Sequence, residues 1–228
     1  MSKNIVDTRT LAIVLRRTNY GEADRILNLI TPDGKVSAMA RGVRKAKSKL
    51  AGGVEMFSLV ELNLHFGKSE LATVTGARMV KYYGAILADY NRMELASMML
   101  RKINTVAEGT NAVDYFEIAR ECLDGLNSGM SLALVESWFL FNLLKVSGEE
   151  VNLYRDGLGD KLREDAKYYY DANEMAFMPK TGGEFGVDEI KLMRLMVSAK
   201  LQIVSKVKNV DEMALGILRL ARVASKMI

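Results

Sequence analysis

The first 80 residues alternate between short apolar runs and turn signals, a pattern typical of a small all-β domain. Runs rich in Val, Ile and Leu, or with apolar side chains at every second position, predict five strands, at residues 9–20, 25–31, 35–41, 56–66 and 71–77. Pro32 and Gly34 favour a tight turn between the second and third strands. Five closely connected strands predict a barrel or a sandwich. Among small barrels, the OB architecture commonly binds single-stranded nucleic acid.

After Lys81 the apolar positions recur with a period near 3.6, which predicts helices. Ser131 is the expected N-cap of a very apolar helix over residues 132–147, and Gly148 ends it. Because apolar residues surround nearly its whole circumference, this helix is expected to be buried at the centre of its domain. Other helical faces are predicted at residues 95–103, 113–123, 190–204 and 213–224.

Residues 149–186 are irregular and rich in turns, with one short hairpin predicted between 167–171 and 175–178. The predicted fold class is therefore α+β and multidomain. A five-stranded OB-fold β-barrel occupies residues 1–80, and an all-α helical domain follows at residues 81–228. The irregular segment 149–186 is an insertion within that second domain.

The composition of the 228-residue chain is 49% hydrophobic and 26% charged, which is ordinary for a folded soluble protein. No segment reaches the run of about 18 apolar residues that a spanning helix needs. The first residues lack the apolar stretch of a signal peptide. Cys122 is the only cysteine, which excludes an internal disulfide and a zinc site built from cysteines. These features predict a cytoplasmic protein.

Charge is distributed unevenly along the chain. Residues 1–80 carry 13 Lys/Arg and 7 Asp/Glu, a net +6, whereas residues 81–228 carry 19 and 21, a net −2. Residues 41–49 alone contain five cations and no acid. By charge alone such a run is more often a solvated loop than a site. Between two strands of a barrel, however, a flexible cationic loop can hold a phosphate backbone without strict geometry, which favours a polyanionic partner.

Residues suited to catalysis are few. His65 is the only histidine, so no histidine pair for a metal or a proton relay exists, and its place in a strand predicts a surface position. The acid pairs Glu22/Asp24 and Glu149/Glu150 lack nearby partners that would fit them for acid–base catalysis. Cys122 is expected to pack in a core. The chain is therefore predicted not to be an enzyme.

Four short motifs follow one another in residues 9–60. They are an apolar strand ending in Arg16-Arg17, then Tyr20-Gly21-Glu22-Ala23-Asp24-Arg25, then Thr31-Pro32-Asp33-Gly34-Lys35, then Ala40-Arg41-Gly42-Val43-Arg44-Lys45 with Ser48. Each motif alone occurs in many proteins. In this order and spacing, ahead of a helical domain of this length, they resemble the RecO family of bacterial recombination mediators.

The resemblance implies a protein that anneals complementary single strands and loads recombinase onto DNA coated by single-strand binding protein. It implies RecR and the C-terminal tail of single-strand binding protein as partners, and a bacterial, nucleoid-associated location. Many members of the family bind zinc through four cysteines in the irregular part of the helical domain. Residues 149–186 of this chain contain no cysteine, so the zinc site is expected to be absent and no cofactor is expected.

The predicted function is a DNA-binding recombination mediator that binds single-stranded DNA and, as a further expectation, duplex DNA. The candidate DNA-binding residues are barrel cations and one aromatic residue suited to base stacking: Arg16, Arg17, Tyr20, Arg25, Lys35, Arg41, Arg44, Lys45, Lys47 and Lys49. Because neighbouring strand residues point to opposite faces, at least one of Arg16 and Arg17 is a candidate for a structural ion pair.

Three cations near the end of the chain are candidates for binding an acidic protein tail: Arg219, Arg222 and Lys226. A solvated helix face that favours cations near its C-terminus is the simpler explanation for them. The alternative function for the whole chain is a protein-interaction adaptor, in which the basic barrel binds an acidic protein and DNA binding is incidental.

Overall fold

The computed structural model describes residues 6–107 and 112–227. The chain divides into two compact units, residues 1–127 and residues 128–228. Strands give way to helices near residue 83, close to the predicted transition, and the predicted α+β class is confirmed. The units themselves divide later than residue 80, because three helices belong to the same compact unit as the strands.

The first unit contains a closed five-stranded barrel with the strand order β1-β2-β3-β5-β4. Its strands are β1 (Val6–Tyr20), β2 (Asp24–Thr31), β3 (Gly34–Ala40), β4 (Ser58–Phe66) and β5 (Ala72–Tyr82). β1 pairs with β4 through its first half and with β2 through its second half, and β3 meets β5 in parallel. This arrangement is the predicted five-stranded OB barrel.

The barrel interior is filled by alternate residues of every strand, as the period of two requires. The cluster is mostly aliphatic, and its members are Ala12, Val14, Leu27, Leu29, Ala38, Ala40, Val43, Val54, Val60, Leu62, Leu64, Ala72 and Val74. Burying one such Val or Leu side chain stabilises the fold by about 1.5–3 kcal/mol. Two members, Val43 and Val54, come from the connection between β3 and β4 rather than from a strand.

Three helices complete the first unit: α1 (Gly84–Leu87), α2 (Tyr90–Val106) and α3 (Ala112–Asn127). The carboxylate of Asp89 caps α2 by accepting the backbone N–H groups of Asn91 and Arg92 at 2.9 and 3.1 Å. α2 and α3 pack against β1, and α3 also contacts β2 and β3. One outer side of the barrel is therefore covered by helices.

The second unit contains α4 (Leu132–Ser147), β6 (Tyr168–Asp171), β7 (Ala176–Pro179), α5 (Val187–Ser198), α6 (Leu201–Val204) and α7 (Val210–Ala224). The predicted ends of α4 are confirmed: the Ser131 hydroxyl accepts the Leu134 N–H, and Gly148 has a φ of 80°. Ten of its sixteen residues are buried, and it packs against α7 and α5. No helix within residues 6–107 and 112–227 is both long and apolar enough to cross a bilayer.

The single helical face predicted over residues 190–204 is wrong, because the backbone at Ala199 is extended and separates α5 from α6. Three side chains of α4 bind carbonyl groups at this break. Trp138 donates to the carbonyl of Ala199 at 3.0 Å, and Asn142 and Lys145 donate to those of residues 196 and 197. These contacts satisfy carbonyls that a helix end leaves without partners, so α5 can stop here without a glycine.

Residues 149–186 form a small lobe whose predicted hairpin is confirmed as β6 and β7. Phe177 lies at its centre, fully buried, with its ring edge-on to three other rings. The ring centroids of Phe177 lie 5.5 Å from Tyr170, 5.8 Å from Phe185 and 6.5 Å from Tyr168. Edge-to-face aromatic contacts of this kind stabilise a small core beyond simple burial.

Candidate nucleic-acid interface

The connection between β3 and β4 lies across one end of the barrel. Its first part, residues 41–49, is the cationic loop, and a short 3-10 turn at Ala51–Gly53 follows. Val43 is 2% exposed and Val54 fully buried, and both insert into the barrel core, where Leu50 and Met56 pack beside them. The apolar residues of this connection thus point into the barrel and leave its cations on the outside.

Hydrogen bonds join the cationic loop to the turn between β1 and β2. The Gly42 N–H donates to the Asp24 carboxylate at 2.7 Å. Arg44 donates twice, from its backbone N–H to the carbonyl of Ala23 at 2.9 Å and from its guanidinium to that of Gly21 at 3.2 Å. Two consecutive turns, closed by bonds from Lys45 N–H to Gly42 and from Ser48 N–H to Lys45, continue the loop. The loop is therefore folded onto the barrel end.

The five cations of the loop are all exposed: Arg41, Arg44, Lys45, Lys47 and Lys49. Within the described residues none of the five forms an ion pair, although acids lie nearby in sequence. An exposed cation without a carboxylate partner keeps its full attraction for an external anion. Five such cations on one folded loop form the strongest unneutralised charge of the barrel.

Tyr20 stands at the edge of this loop, at the end of β1, with 56% of its surface exposed. The register explains the proximity: Tyr20 pairs with Asp24, whose neighbour Arg25 pairs with Ala40, the residue before the loop. An exposed ring beside a row of cations is the arrangement on which a base of single-stranded nucleic acid can stack.

Arg16 is exposed because β1 contains a bulge. Val14 pairs with Leu29 and Arg16 with Asn28, so Leu15 is an extra residue between them. In a strand without a bulge, Arg16 would share the inward face of Val14, since the side chains of residues i and i+2 lie on one face. Arg16 lies four residues before Tyr20, a distance of about 13 Å along the strand.

Arg17 and Arg25 both interact with a carboxylate of the protein. Both approach Glu55: Arg17 donates a hydrogen bond to one carboxylate oxygen, and Arg25 lies 3.6 Å from the other. Arg25 also donates to the Asn19 side chain at 3.3 Å. Of the adjacent pair at the end of β1, Arg17 is thus the one that makes a structural ion pair, and Arg16 remains outward.

Lys35 is also engaged, because its ammonium group donates to the backbone carbonyl of Asn104 near the end of α2. Carbonyls in the last turn of a helix lack intrahelical partners, and a cation there also complements the helix dipole. The Asn104 side chain in turn accepts from Asn28 at 3.2 Å. Lys35 therefore holds α2 against the barrel and is not turned to solvent.

The three cations of the last helix have different surroundings. Arg222 donates two hydrogen bonds to Glu136 of α4, at 2.6 and 2.7 Å, and the pKa of Arg222 is raised by that contact. Glu136 is buried, so Arg222 neutralises a charge inside the unit. Arg219 lies 3.8 Å from Glu184, and Lys226 is exposed. Of the three, Lys226 alone forms no ion pair with a described residue.

The groove beside Arg219 is lined by apolar and acidic side chains. Phe185, Met213 and Leu215 form its apolar part, and Glu184, Glu189 and Glu212 lie around them. Three carboxylates against one guanidinium do not attract an acidic peptide.

The lobe at 149–186 does not fit the zinc site that the resemblance implies for many members of the family. It contains neither cysteine nor histidine, the ligands that zinc prefers. Across residues 6–107 and 112–227, no three His, Cys, Asp or Glu side chains come close enough to hold a metal ion. Cys122 lies in α3, outside the lobe, and burial raises the pKa of its thiol well above the usual value. The Tyr/Phe cluster occupies the middle of the lobe instead.

His65 lies on the barrel surface, where its ring nitrogen Nδ1 is 2.8 Å from the Asp7 carboxylate. This exposed pair has no third group with which to relay a proton or activate a nucleophile among the hydrogen bonds of the described chain.

Sequence reasoning missed the residues that fix the cationic loop. Val43 was the available signal, since a lone apolar residue within a run of cations indicates a point of attachment to a core. Asp24 and Glu55 gave no such signal, because their partners are set by the closure of the barrel. The loop and its attachments together define the candidate site.

The sequence is similar to that of known DNA repair proteins. The family model described as "Recombination protein O N terminal" matches residues 1–83. A protein of Dehalococcoides mccartyi (strain CBDB1) named "DNA repair protein RecO" is 30% identical over 214 residues, which are 89% of this chain and 83% of the relative. Proteins of the same name are 31% identical in Roseiflexus sp. (strain RS-1), over 85% of this chain and 68% of the relative, and 40% identical in Heliobacterium modesticaldum, over 48% and 40%.

Proposed function

The chain belongs to the RecO family of DNA repair proteins, and from that premise we propose that it is a non-enzymatic, DNA-binding recombination mediator. It binds single-stranded DNA through the barrel end, and duplex DNA by the same phosphate contacts. The observation that carries the proposal is the set of five exposed loop cations, none paired with a described acid, beside the exposed ring of Tyr20.

The proposed mechanism is neutralisation of phosphates with release of counterions. Six exposed cations are available, the five of the loop and Arg16. If all six met phosphates of a single strand, the logarithm of affinity would fall with the logarithm of salt concentration with a slope of roughly −4. Stacking of one base on Tyr20 would add about 1–3 kcal/mol. None of these contacts reads a base edge, so little sequence preference is expected.

The test is binding of a fluorescent single-stranded oligonucleotide across a salt series. Charge reversal of Arg44, Lys45 and Lys47 to Glu should weaken binding at least about tenfold, because three phosphate contacts become repulsions. A matched control reverses Lys200, Lys206 and Lys208 in the second unit, which are also exposed. The control has the same net charge and should bind nearly as the wild type does.

An affinity that does not change with salt would exclude phosphate neutralisation. Equal losses in the two triple variants would mean that net charge, and not the loop, determines binding. Thermal denaturation of both variants separates these outcomes from unfolding.

The mediator activities are proposed on the strength of the family. They are annealing of complementary strands, loading of recombinase onto DNA coated by single-strand binding protein, and association with RecR and with the acidic tail of single-strand binding protein. A protein with these activities would act in the bacterial cytoplasm, at the nucleoid. Acceleration of strand annealing, measured with and without single-strand binding protein, is the direct assay. The surroundings of Arg219 and Arg222 do not support docking of the acidic tail there.

The second candidate, an adaptor for an acidic protein, is favoured by one property of the same loop. Its cations are equally available to carboxylates. A partner recovered in the presence of nuclease, together with no acceleration of annealing, would support the adaptor.

We further propose that the chain needs no zinc, because the lobe at 149–186 offers oxygen ligands only in scattered positions. Metal analysis after dialysis against a chelator, with an unchanged melting temperature, is the expected result.

A further inference from the structure

An acidic residue lies inside the proposed cationic interface. Asp24 is the first residue of β2, it is half-buried, and its Oδ1 accepts the Gly42 N–H at 2.7 Å. We propose that Asp24 is a positioning residue for DNA binding: its carboxylate holds the cationic loop in the conformation that meets phosphates. The inference rests on the proposed function, since it concerns how the same loop acts.

The backbone geometry explains why a carboxylate is needed at this point. Pairing between β2 and β3 ends with Arg25 opposite Ala40. Gly42, two residues later, has a φ of 63°, in the left-handed region where the chain bends away from a strand. The Asp24 side chain accepts its N–H and so extends the connection between β2 and the loop past the last strand pair. A hydrogen bond to an ionised carboxylate is stronger than one to a neutral acceptor.

The residues after Gly42 attach the loop to the first unit at further points. Val43 enters the barrel core, and Arg44 then bonds to the carbonyls of Ala23 and Gly21 through its N–H and its guanidinium. The loop thus touches the β1–β2 turn on both sides of Val43. A loop that is already ordered before binding loses less conformational entropy when DNA arrives, and therefore binds more tightly.

Electrostatics and positioning predict opposite effects for the loss of Asp24. A carboxylate within a phosphate-binding surface repels DNA, so its removal should strengthen binding if charge alone counts. If Asp24 holds the loop, its removal should weaken binding although the surface becomes more positive. Glu22, two residues earlier in the same turn, provides the comparison, because it is exposed and forms no hydrogen bond or ion pair within the described residues.

The experiment uses the full chain and a fluorescent oligothymidylate in a salt series with three variants. Asp24→Ala should bind about fivefold more weakly than the wild type. Its loop is no longer ordered before binding and must lose conformational entropy when DNA binds. Glu22→Ala, which loses the same charge, should bind as the wild type does or up to about twofold more tightly. Asp24→Asn keeps an oxygen acceptor, weaker than a carboxylate, and should recover most of the binding that Asp24→Ala loses.

The positioning role is overturned if Asp24→Ala binds as tightly as Glu22→Ala, or if a folded Asp24→Asn binds as weakly as Asp24→Ala. Failure of the proposed function looks different, because the wild type would then bind without salt dependence. If Asp24→Ala does not fold, amide hydrogen exchange of Asp24→Asn decides. A neutral amide accepts more weakly, so the amide protons of residues 42–44 should exchange faster than in the wild type while β2 stays protected; unchanged exchange overturns the proposal.

Discussion

Arg222 and Arg219 lie three residues apart on α7, yet their surroundings give them different roles. Arg222 makes a two-point contact with the buried Glu136. Replacing Arg222 by Met would leave a carboxylate buried without its main partner and should lower the free energy of unfolding by about 1–3 kcal/mol. Arg219→Met is the matched control, because Arg219 is 82% exposed in its side chain and 3.8 Å from Glu184.

For Arg219→Met the change in unfolding free energy should stay within about 0.5 kcal/mol. Urea denaturation of the two variants measures both values. Equal stabilities would mean that the Glu136 carboxylate finds another partner when Arg222 is lost.

Tyr170 provides a prediction about alkaline pH. Burial beside Phe177 raises the pKa of Tyr170 to about 12, whereas an unfolded tyrosine ionises near pH 10. Between about pH 10 and pH 12 the unfolded state loses this proton and the folded state keeps it, so the free energy of unfolding must fall as pH rises. In Tyr170→Phe, which keeps the ring, this fall should be smaller. Denaturation at pH 8, 10 and 11 compares the two; parallel pH profiles would contradict the assignment.

Single residues were the hardest part of the site to predict, because their partners are distant in sequence. Lys35 and Arg222 read as available cations, and the sequence did not identify which of Arg16 and Arg17 forms an ion pair. In the structure Arg17, Lys35 and Arg222 bind groups 38, 69 and 86 residues away. Only the closure of the barrel or the packing of helices brings such groups together. The loop cations were easier to predict, because a run of five cations without an acid among them has no partner close by in sequence.

At the scale of elements, the strands, the apolar helix α4 and the hairpin followed from periodicity and end signals. The break between α5 and α6 did not, because Ala199 carries no signal of its own. Its cause lies in the donors of α4 that bind the carbonyls of residues 196, 197 and 199. Local patterns thus predicted elements whose ends are set locally, and failed where a neighbouring element sets the end.

The connection after the cationic loop depends on close backbone contact at Gly53. A Cβ atom at this position would lie 2.5 Å from the Cβ and 2.8 Å from the carbonyl carbon of Ala77 in β5. Gly53→Ala should therefore push the connection away from the barrel and lower the unfolding free energy by about 1–3 kcal/mol. Gly52→Ala is the control, since nothing lies within 4 Å of its would-be Cβ and the residue is exposed.

Thermal denaturation of the two glycine variants, measured in parallel, makes the comparison. A Gly53→Ala variant as stable as Gly52→Ala would show that the connection is not tightly packed on β5. If it is packed as described, Gly53→Ala should also weaken DNA binding, because the cationic loop precedes the same contact.

At the scale of the molecule, charge follows the compact units. Residues 1–127 carry 18 Lys/Arg and 14 Asp/Glu, a net +4, whereas residues 128–228 carry 14 of each and are neutral. The excess of positive charge therefore belongs to the unit that contains the barrel. This distribution is consistent with the proposed binding of DNA by the first unit.

The helices of the first unit are expected to be necessary for its barrel. Val14 and Ala12 point into the barrel, so Ile13 points outward, yet Ile13 is fully buried, as is Ile30 beside it in β2. α2 and α3 are the helices that pack against this side. The sequence predicted this strand from its apolar run, but it did not predict that the strand is buried on both faces or identify the covering helices.

A fragment ending at residue 83, where the match to the family model ends, would expose this outer face. Uncovering Ile13, Leu15 and Ile30 would cost about 5–9 kcal/mol, comparable to the whole stability of a typical domain. Fragment 1–127 should therefore unfold cooperatively on heating and bind oligonucleotide with nearly the salt slope of the full chain, whereas fragment 1–83 should bind a hydrophobic dye and aggregate. Fragment 128–228 should not bind DNA. A fragment 1–83 that unfolds as cooperatively as 1–127 would mean that the barrel is complete without its helices, and the division near residue 80 would then describe the folding unit.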